Sequence, residues 1–191
     1  VARGYRDVVP QALRTGVTNF FGNLGDVWSV VNHVLQGKPE PALAMTMRVG
    51  LNTVFGIAGL LDIATEAGLD RQSEDFGQTL GRWGLPPGPY LVLPLLGPSS
   101  VRDTAGLPLD MAATSVSPLG VEDGHLWAAT ALRVVNTRAN LLGATRLIDD
   151  IALDRYRFLR DGYLARRRNL VYDGDPPEEP QPRYDLEDAP R

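Results

Sequence analysis

Apolar residues between Asp26 and Gly37 recur with the period of a helix. Positions i, i+3, i+4, i+7 and i+8 are occupied by Val27, Val30, Val31, Val34 and Leu35. This spacing predicts a helix with one apolar stripe. We expect Asp26 to cap its N-terminus and Gly37, followed by Pro39, to end it.

The next segment, from Ala42 to Leu61, is apolar and about as long as a membrane crossing. Its strongly polar positions are Arg48 and Asn52, near the middle. An arginine at mid-bilayer costs at least ~2.5 kcal/mol. The pattern therefore favours two shorter helices with a bend near Gly56 over one membrane-spanning helix.

Small and capping residues indicate further helices. Gly77 and Gly81 form a small-xxx-small pair, which lets another backbone come close. Ser100 and Asp103 have the spacing of a capping box, so Arg102 is predicted in the first turn of a helix.

The C-terminal half reads as one or two long helices from Glu122 to Tyr172, with Gly143 and Gly162 as weak points. Alternation typical of strands never extends beyond a few residues. The predicted fold class is all-α.

One apolar run, from Tyr90 to Leu96, has no helical or alternating pattern. Pro89, Pro94 and Pro98 interrupt it, remove backbone donors and fix φ. A central strand or an uninterrupted helix is therefore excluded. We expect a loop that needs an apolar partner, either a membrane or a lipid-like ligand.

Charge and composition divide the chain at residue 172. Residues 173–191 carry seven acids against two arginines, a net charge of −5, and contain five prolines. The preceding part is nearly neutral at +1. We expect one helical domain over residues 1–172 and a disordered, acidic, proline-rich tail over residues 173–191.

Residues typical of catalysis are sparse. His33 and His125 lie apart from acidic or serine clusters, so neither indicates a triad. Asp150 and Asp154 share a helix face, yet neighbouring arginines explain them as salt-bridge partners without a metal. Lys38 lies outside any phosphate-loop motif. The sequence predicts no enzyme, no catalytic residue, no metal site and no cofactor.

A stripe of tyrosine and arginine leaves two binding functions open. Tyr156, Arg160, Tyr163 and Arg167 recur at i, i+4, i+7 and i+11. Such a stripe suits stacking on nucleic-acid bases or a membrane headgroup boundary, and it also fits a solvated face with half-packed tyrosines. The nearly neutral body and acidic tail argue against nucleic acid, which we do not expect as a partner.

Several segments together resemble one family. They are NFFGNL at residues 19–24, RVGLNTVFGIAGLLDIATEAGL at 48–69, FGQTLGRWG at 76–84, GPYLVLPLLGPSSVRD at 88–103 and YLARRRNLVYDG at 163–174. In this order they are similar to the MlaA/VacJ family of Gram-negative outer-membrane lipoproteins.

The resemblance implies a ring-like or curved bundle of amphipathic helices that lies in the membrane around an amphipathic channel. It also implies a passive phospholipid conduit that removes mislocalised phospholipid from the outer leaflet of the outer membrane. The implied partners are phospholipid, a trimeric outer-membrane porin and a periplasmic carrier protein. The implied location is the periplasmic side of the outer membrane, held by a lipid on a cysteine upstream of Val1.

Within this picture we predict which residues form the lipid path. Gly88 and Gly97 would act as hinges for a movable lip formed by Tyr90, Leu91, Val92, Leu93, Leu95 and Leu96. Polar lining would come from Arg48, Asn52 and Arg102, although each could instead cap or pair inside the helix bundle. The alternative function is an interaction scaffold that docks on a porin or bilayer without a lipid path of its own.

Overall fold

A computed structural model describes residues 1–94, 96–119, 123–151 and 154–178. It is mostly helical, with one small sheet. The elements are α1 (Ala2–Val8), α2 (Gln11–Leu35), α3 (Pro39–Val54), α4 (Ile63–Glu66), α5 (Phe76–Arg82), β1 (Tyr90–Leu93), β2 (Gly97–Ser100), α6 (Val101–Ala113), a 3-10 turn (Ser117–Leu119), α7 (Asp123–Ile151) and α8 (Arg155–Val171).

Helix α2 is much longer than its apolar stripe predicted. It begins at Gln11 after Pro10, so Asp26 lies in mid-helix and the predicted N-cap was wrong. Its end was predicted correctly, because Gln36 is the C-cap and Gly37 adopts φ +71° before Pro39. Glycine adopts this left-handed conformation without strain because it has no Cβ.

The two faces of α2 are arranged in the opposite way to a helix of a water-soluble bundle. The face packed inside is mostly polar, and most of the apolar stripe faces outward. Buried on the inner face are Asn23, Asp26, Ser29, Asn32 and His33, while Val27, Val31, Val34 and Leu35 are between 41% and 64% exposed. An apolar surface of this kind needs a non-aqueous neighbour.

The predicted break near Gly56 is a complete turn. Helix α3 ends at Val54, and eight residues separate it from α4, which begins at Ile63. The turn contains two non-glycine residues in the left-handed region, Ile57 at φ 53° and Ala58 at φ 54°. A side chain on Gly56 would place its Cβ 2.3 Å from the Leu61 carbonyl oxygen, which explains why glycine occupies that position.

Helices α5 and α6 approach each other closely through glycine. A Cβ on Gly106 would lie 3.0 Å from the Gly77 backbone nitrogen, and one on Gly77 would lie 3.1 Å from the Asp103 Cα. The predicted use of Gly77 is therefore confirmed. Ser100 caps α6 by accepting a hydrogen bond from the Asp103 N–H at 3.2 Å, so Arg102 lies in the first turn as expected.

The proline-interrupted apolar run is a β-hairpin, so the prediction of a loop without strands was wrong. β1 pairs antiparallel with β2, with Tyr90 opposite Ser100 and Leu93 opposite Gly97. In a two-stranded sheet each strand has a free edge, so Pro98 is accommodated in β2. Pro94 falls in the turn between the strands. The helical fold class holds with this small sheet added.

Two helices occupy the C-terminal part, but they separate elsewhere than predicted. Gly143 and Gly162 lie inside α7 and α8, so neither ends a helix. Helix α8 starts after Asp154, whose carboxylate accepts a hydrogen bond from the Arg157 N–H at 3.0 Å. The side chain of Asp150 and the tail beyond residue 178 lie outside the described residues.

Candidate functional site

Arg48 lies at the centre of a buried ion-pair cluster between α2, α3 and α4. Its guanidinium is 1% exposed and donates to the Asp26 carboxylate at 3.2 Å and to both Asp62 oxygens at 2.6 and 2.7 Å. Asn52 donates to Asp62 at 3.1 Å and accepts from the Ala64 N–H at 2.9 Å. These contacts correspond to pairing inside the bundle, the alternative given for both residues.

The contacts in this cluster favour the ionised form of the Asp62 carboxylate. Burial opposes its ionisation, but hydrogen bonds from Thr65, Arg48 and Asn52 outweigh that effect and lower its pKa from 3.8 to about 2. The ionised form is therefore favoured, and it neutralises the Arg48 guanidinium. The cluster fixes the turn after α3 against α2.

A second polar network joins α5, α6 and α8. Arg167 donates to both oxygens of Asp75, at 2.6 and 2.8 Å, and to Asp103 at 2.9 Å. Tyr163 donates its hydroxyl proton to Asp103 at 2.6 Å, and burial together with this carboxylate raises the pKa of Tyr163 to about 12. The tyrosine and arginine stripe of α8 thus packs partly inward.

The hairpin rests on this network through aromatic contacts. The ring of Tyr90 meets those of Tyr156 and Tyr163 edge to face, with centroids 5.7 and 6.0 Å apart. Gly88 and Gly97, the predicted hinges, have φ of +68° and +88°, which L side chains rarely adopt. The hairpin is therefore held at its first strand, and a glycine with positive φ lies before β1 and at the start of β2.

The far end of the hairpin is more open to its surroundings. Val92 is 60% and Leu96 is 56% exposed, whereas Leu91 and Leu93 are half-buried. Leu95 lies outside the described residues. Leu96 reaches a cavity of about 290 Å³, whose apolar wall is formed by Leu96, Leu107, Met111, Val116 and Ala129.

This apolar chamber adjoins a polar chamber of about 430 Å³. The wall of the polar chamber includes Asp26, Ser29, Arg71, Glu74, Asn136 and Asn140. Four residues line both chambers: Phe21, Asp110, Thr114 and Arg133. The two volumes therefore share a wall. Polar residues make up most of the lining of the larger volume and about half of the lining of the smaller one.

The shared wall carries a cation and a carboxylate. Arg133 donates to the Thr114 hydroxyl at 2.8 Å and to its carbonyl oxygen at 3.1 Å, and lies 5.8 Å from the Phe21 ring centroid. Burial lowers the pKa of Arg133. Burial also raises the pKa of Asp110, which accepts hydrogen bonds from Trp28 at 2.7 Å and the Phe76 N–H at 2.8 Å.

Arg102 lies elsewhere. It borders a third cavity, of about 900 Å³, between α8 and residues 84–88, whose described lining shares no residue with the other two chambers. Its guanidinium donates to Asp103 at 2.9 and 3.0 Å. Of the predicted site residues that the structure describes, Leu96 alone lines the paired chambers, while Arg48, Asn52 and Arg102 lie in ion-pair and hydrogen-bond networks.

Sequence reasoning missed the residues of the shared wall. Asp110, Thr114 and Arg133 have no local motif, because α6 and α7 bring them together from distant parts of the chain. A signal for the polar interior did exist in α2. Asp26, Ser29 and His33 recur at i, i+3 and i+7 opposite the apolar stripe, and this polar stripe is the one that packs inward.

The buried histidine of α2 is bound to the main chain of the segment before α5. His33 is buried, with its Nε2 3.1 Å from the Gln72 carbonyl oxygen. Over the residues that the structure describes, no group of three or more histidine and acidic side chains could hold a metal ion. In the same residues, no helix is both long enough and apolar enough to cross a membrane.

Known proteins resemble this chain over most of its length. The model of the family "MlaA lipoprotein" matches residues 1–170. Proteins named intermembrane phospholipid transport system lipoprotein MlaA are similar to it. That of Shigella flexneri is 35% identical, and that of Escherichia coli K12 is 34% identical, each over 94% of this chain and 72% of the relative.

A solved structure has the same fold. It comes from work on the structural basis for maintenance of bacterial outer membrane lipid asymmetry, and it superposes with a TM-score of 0.73 at 33% identity. The match covers 89% of this chain and 85% of that one. The family model, the relatives and the shared fold together establish that this chain belongs to the MlaA lipoprotein family.

Proposed function

We propose that this chain is a passive phospholipid conduit that takes mislocalised phospholipid from the outer leaflet of the outer membrane toward a periplasmic carrier. One observation carries the proposal: a chamber lined mostly by polar residues shares a wall with a chamber lined about half by apolar residues, and Leu96 of the hairpin lines the second. A phospholipid has the same two parts, a charged headgroup and hydrocarbon chains.

The energetic need for such a passage is large. A phospholipid has roughly thirty chain methylenes, and at ~0.8 kcal/mol each their exposure to water would cost more than about 20 kcal/mol. Spontaneous escape from the leaflet is therefore slow. A sheltered route that holds the headgroup and chains in separate compartments lowers this barrier.

The hairpin is suited to be a movable lip for this route. Its first strand is anchored by Tyr90 on the tyrosines of α8, while its far end carries exposed Val92 and Leu96. Hinge motion at Gly88 and Gly97 would shift Leu96 relative to the apolar chamber without breaking α6. A passage of this kind changes the rate of transfer only, so the affinity of the acceptor sets its direction.

The outward-facing apolar side chains support a position in the outer membrane. Val27, Val31 and Val34 of α2 and Leu43, Met47 and Val54 of α3 are exposed, and lipid or an apolar protein surface would cover them. We propose a trimeric porin and a periplasmic lipid carrier as partners, and a periplasmic-side location. The same apolar surface favours the second candidate function, a docking scaffold without a lipid path.

Lipid retention separates the two functions. The full chain, purified in detergent, would be analysed for bound phospholipid as wild type and as Leu93→Arg, Leu96→Arg and Leu13→Arg. Leu13 is 62% exposed on α2 and lines none of the three cavities, so it controls for the added charge.

A conduit predicts stoichiometric lipid on the wild type and on Leu13→Arg, and reduced lipid and transfer for both hairpin variants. Circular dichroism should show unchanged helical content throughout. Normal transfer by Leu96→Arg would remove the lip assignment. Porin binding by a wild type that retains no phospholipid would favour the scaffold.

A further inference from the structure

Arg133, on the wall shared by the two chambers, is a cation without an anionic partner among the residues that the structure describes. Its guanidinium donates only to the hydroxyl and carbonyl oxygens of Thr114, and no carboxylate in the described part of the chain lies within ion-pair distance of it. By contrast, Arg48, Arg71 and Arg167 all have carboxylate partners. A half-buried guanidinium with neutral partners is prepared to bind an anion.

Asp110 is the complementary group on the same wall. Its Oδ1 accepts both hydrogen bonds, from Trp28 and from the Phe76 N–H, whereas Oδ2 accepts none from the residues described. It forms no ion pair with a cation in that part of the chain, Arg133 included. The carboxylate thus retains one oxygen for a positively charged group.

Thr114 links the Arg133 side chain to the main chain of α6 at Asp110. Its hydroxyl donates to the Asp110 carbonyl oxygen at 2.8 Å and accepts from Arg133 at 2.8 Å. Since Arg133 and Asp110 both line both chambers, a small group in either chamber has a cation and a carboxylate in its wall.

We propose that Arg133 and Asp110 recognise the headgroup of a zwitterionic aminophospholipid, with Arg133 binding the phosphate and Asp110 the ammonium. This inference rests on the proposed conduit function and specifies its preferred substrate. The headgroup then sits at the wall shared by the chambers, and its acyl chains lie along Leu107, Met111 and Ala129 of the apolar chamber. An anionic phosphatidylglycerol satisfies Arg133 but places no cation on Asp110.

The test measures which phospholipid the full chain retains from mixed micelles of phosphatidylethanolamine and phosphatidylglycerol in equal amounts, identified by mass spectrometry. We expect the wild type to enrich phosphatidylethanolamine by roughly threefold to tenfold, the upper value corresponding to about 1.4 kcal/mol. Asp110→Asn keeps an oxygen for Trp28 and Phe76, so it should retain phospholipid with the preference abolished.

Variants of Arg133 test the phosphate contact. Arg133→Gln should lower retention of both lipids by roughly threefold or more, and Arg133→Lys, which keeps the charge, should restore most of it. Surface variants Arg157→Gln and Asp7→Asn, both at exposed positions, should match the wild type. Circular dichroism confirms that each variant is folded.

Soluble glycerophosphoethanolamine at millimolar concentration provides a second measurement that needs no variant. A decrease in the phospholipid retained when glycerophosphoethanolamine is present supports headgroup recognition at the wall shared by the chambers. Equal retention of the two lipids by the wild type, or a preference that persists in Asp110→Asn, overturns the inference while the conduit stands. Absence of any retained phospholipid from the wild type overturns the conduit itself.

Discussion

Replacing Arg48 by methionine removes the cation at the centre of the buried cluster while keeping an unbranched side chain of similar length. The wild-type guanidinium makes five hydrogen bonds, to Asp26, Thr65, the Leu69 carbonyl oxygen and both oxygens of Asp62. The substitution leaves Asp62 without its cation, and Asp26 with Arg71 alone.

The expected loss is large because the charges that remain are at least partly shielded from water: the Asp62 side chain, which loses its cation, is 25% exposed, and Asp26 is more deeply buried. Asp26 is 1% exposed, and removal of one partner from a buried ion pair typically costs about 3–5 kcal/mol. At a denaturant slope of about 1–3 kcal/mol per molar urea, the unfolding midpoint should fall by at least about 1 M.

Urea unfolding of the full chain in detergent, followed by circular dichroism, measures this shift. Arg157→Met is the matched control, because the Arg157 side chain is 76% exposed, and it should change stability by no more than about 0.5 kcal/mol. An Arg48→Met protein that unfolds within about 1 kcal/mol of the wild type would refute the view of this cluster as a fixed structural core.

Three further outcomes follow from local geometry. Folding lowers the pKa of Asp62 from 3.8 to about 2. The stability that this carboxylate contributes is therefore complete above pH 3.8 and is lost as the pH falls through about 2. Acid unfolding should show this loss in the wild type and not in Asp62→Asn. Ala58→Gly relieves a left-handed φ of 54° and should stabilise the fold by up to about 1 kcal/mol. Ala128→Gly, at an exposed position inside α7, should destabilise it by about as much, and thermal unfolding measures both changes. Gly106→Ala should lower the stability of the fold, because the added Cβ would lie 3.0 Å from the Gly77 nitrogen. Gly50→Ala, which has open space around it, should raise the stability. Equal effects of the two variants would contradict the close approach of α5 and α6.

Local signals predicted the helical fold and several boundaries. Gly37 with Pro39 marked the end of α2, and Ser100 with Asp103 marked the start of α6, because these motifs act within one turn of the chain. The hairpin was missed since its two strands are short and carry proline. The pairing of Tyr90 with Ser100 joins residues ten positions apart, and the periodicity of apolar residues does not reveal such pairing.

The candidate site was harder to predict for a physical reason. Arg48 and Arg133 are both arginines in apolar sequence, and only the placement of acids distinguishes them: Asp26 and Asp62 reach the first, while Thr114 reaches the second. Such pairing depends on contacts between distant helices. The inward polar face of α2 was readable from its spacing, provided that the surroundings of the apolar face are taken as non-aqueous.

The most direct test of the conduit is to block the apolar chamber reversibly. The chain contains no cysteine, so Leu107→Cys on the chamber wall and Leu13→Cys outside the chambers each provide a single thiol. Proteoliposomes carrying either variant would be treated with a bulky methanethiosulfonate reagent, and transfer of fluorescent phospholipid to albumin in solution would be followed before labelling, after labelling and after reduction. The account predicts that labelling stops transfer by Leu107→Cys, that reduction restores it, and that Leu13→Cys is unaffected. Unchanged transfer by fully labelled Leu107→Cys would contradict passage of lipid through this chamber.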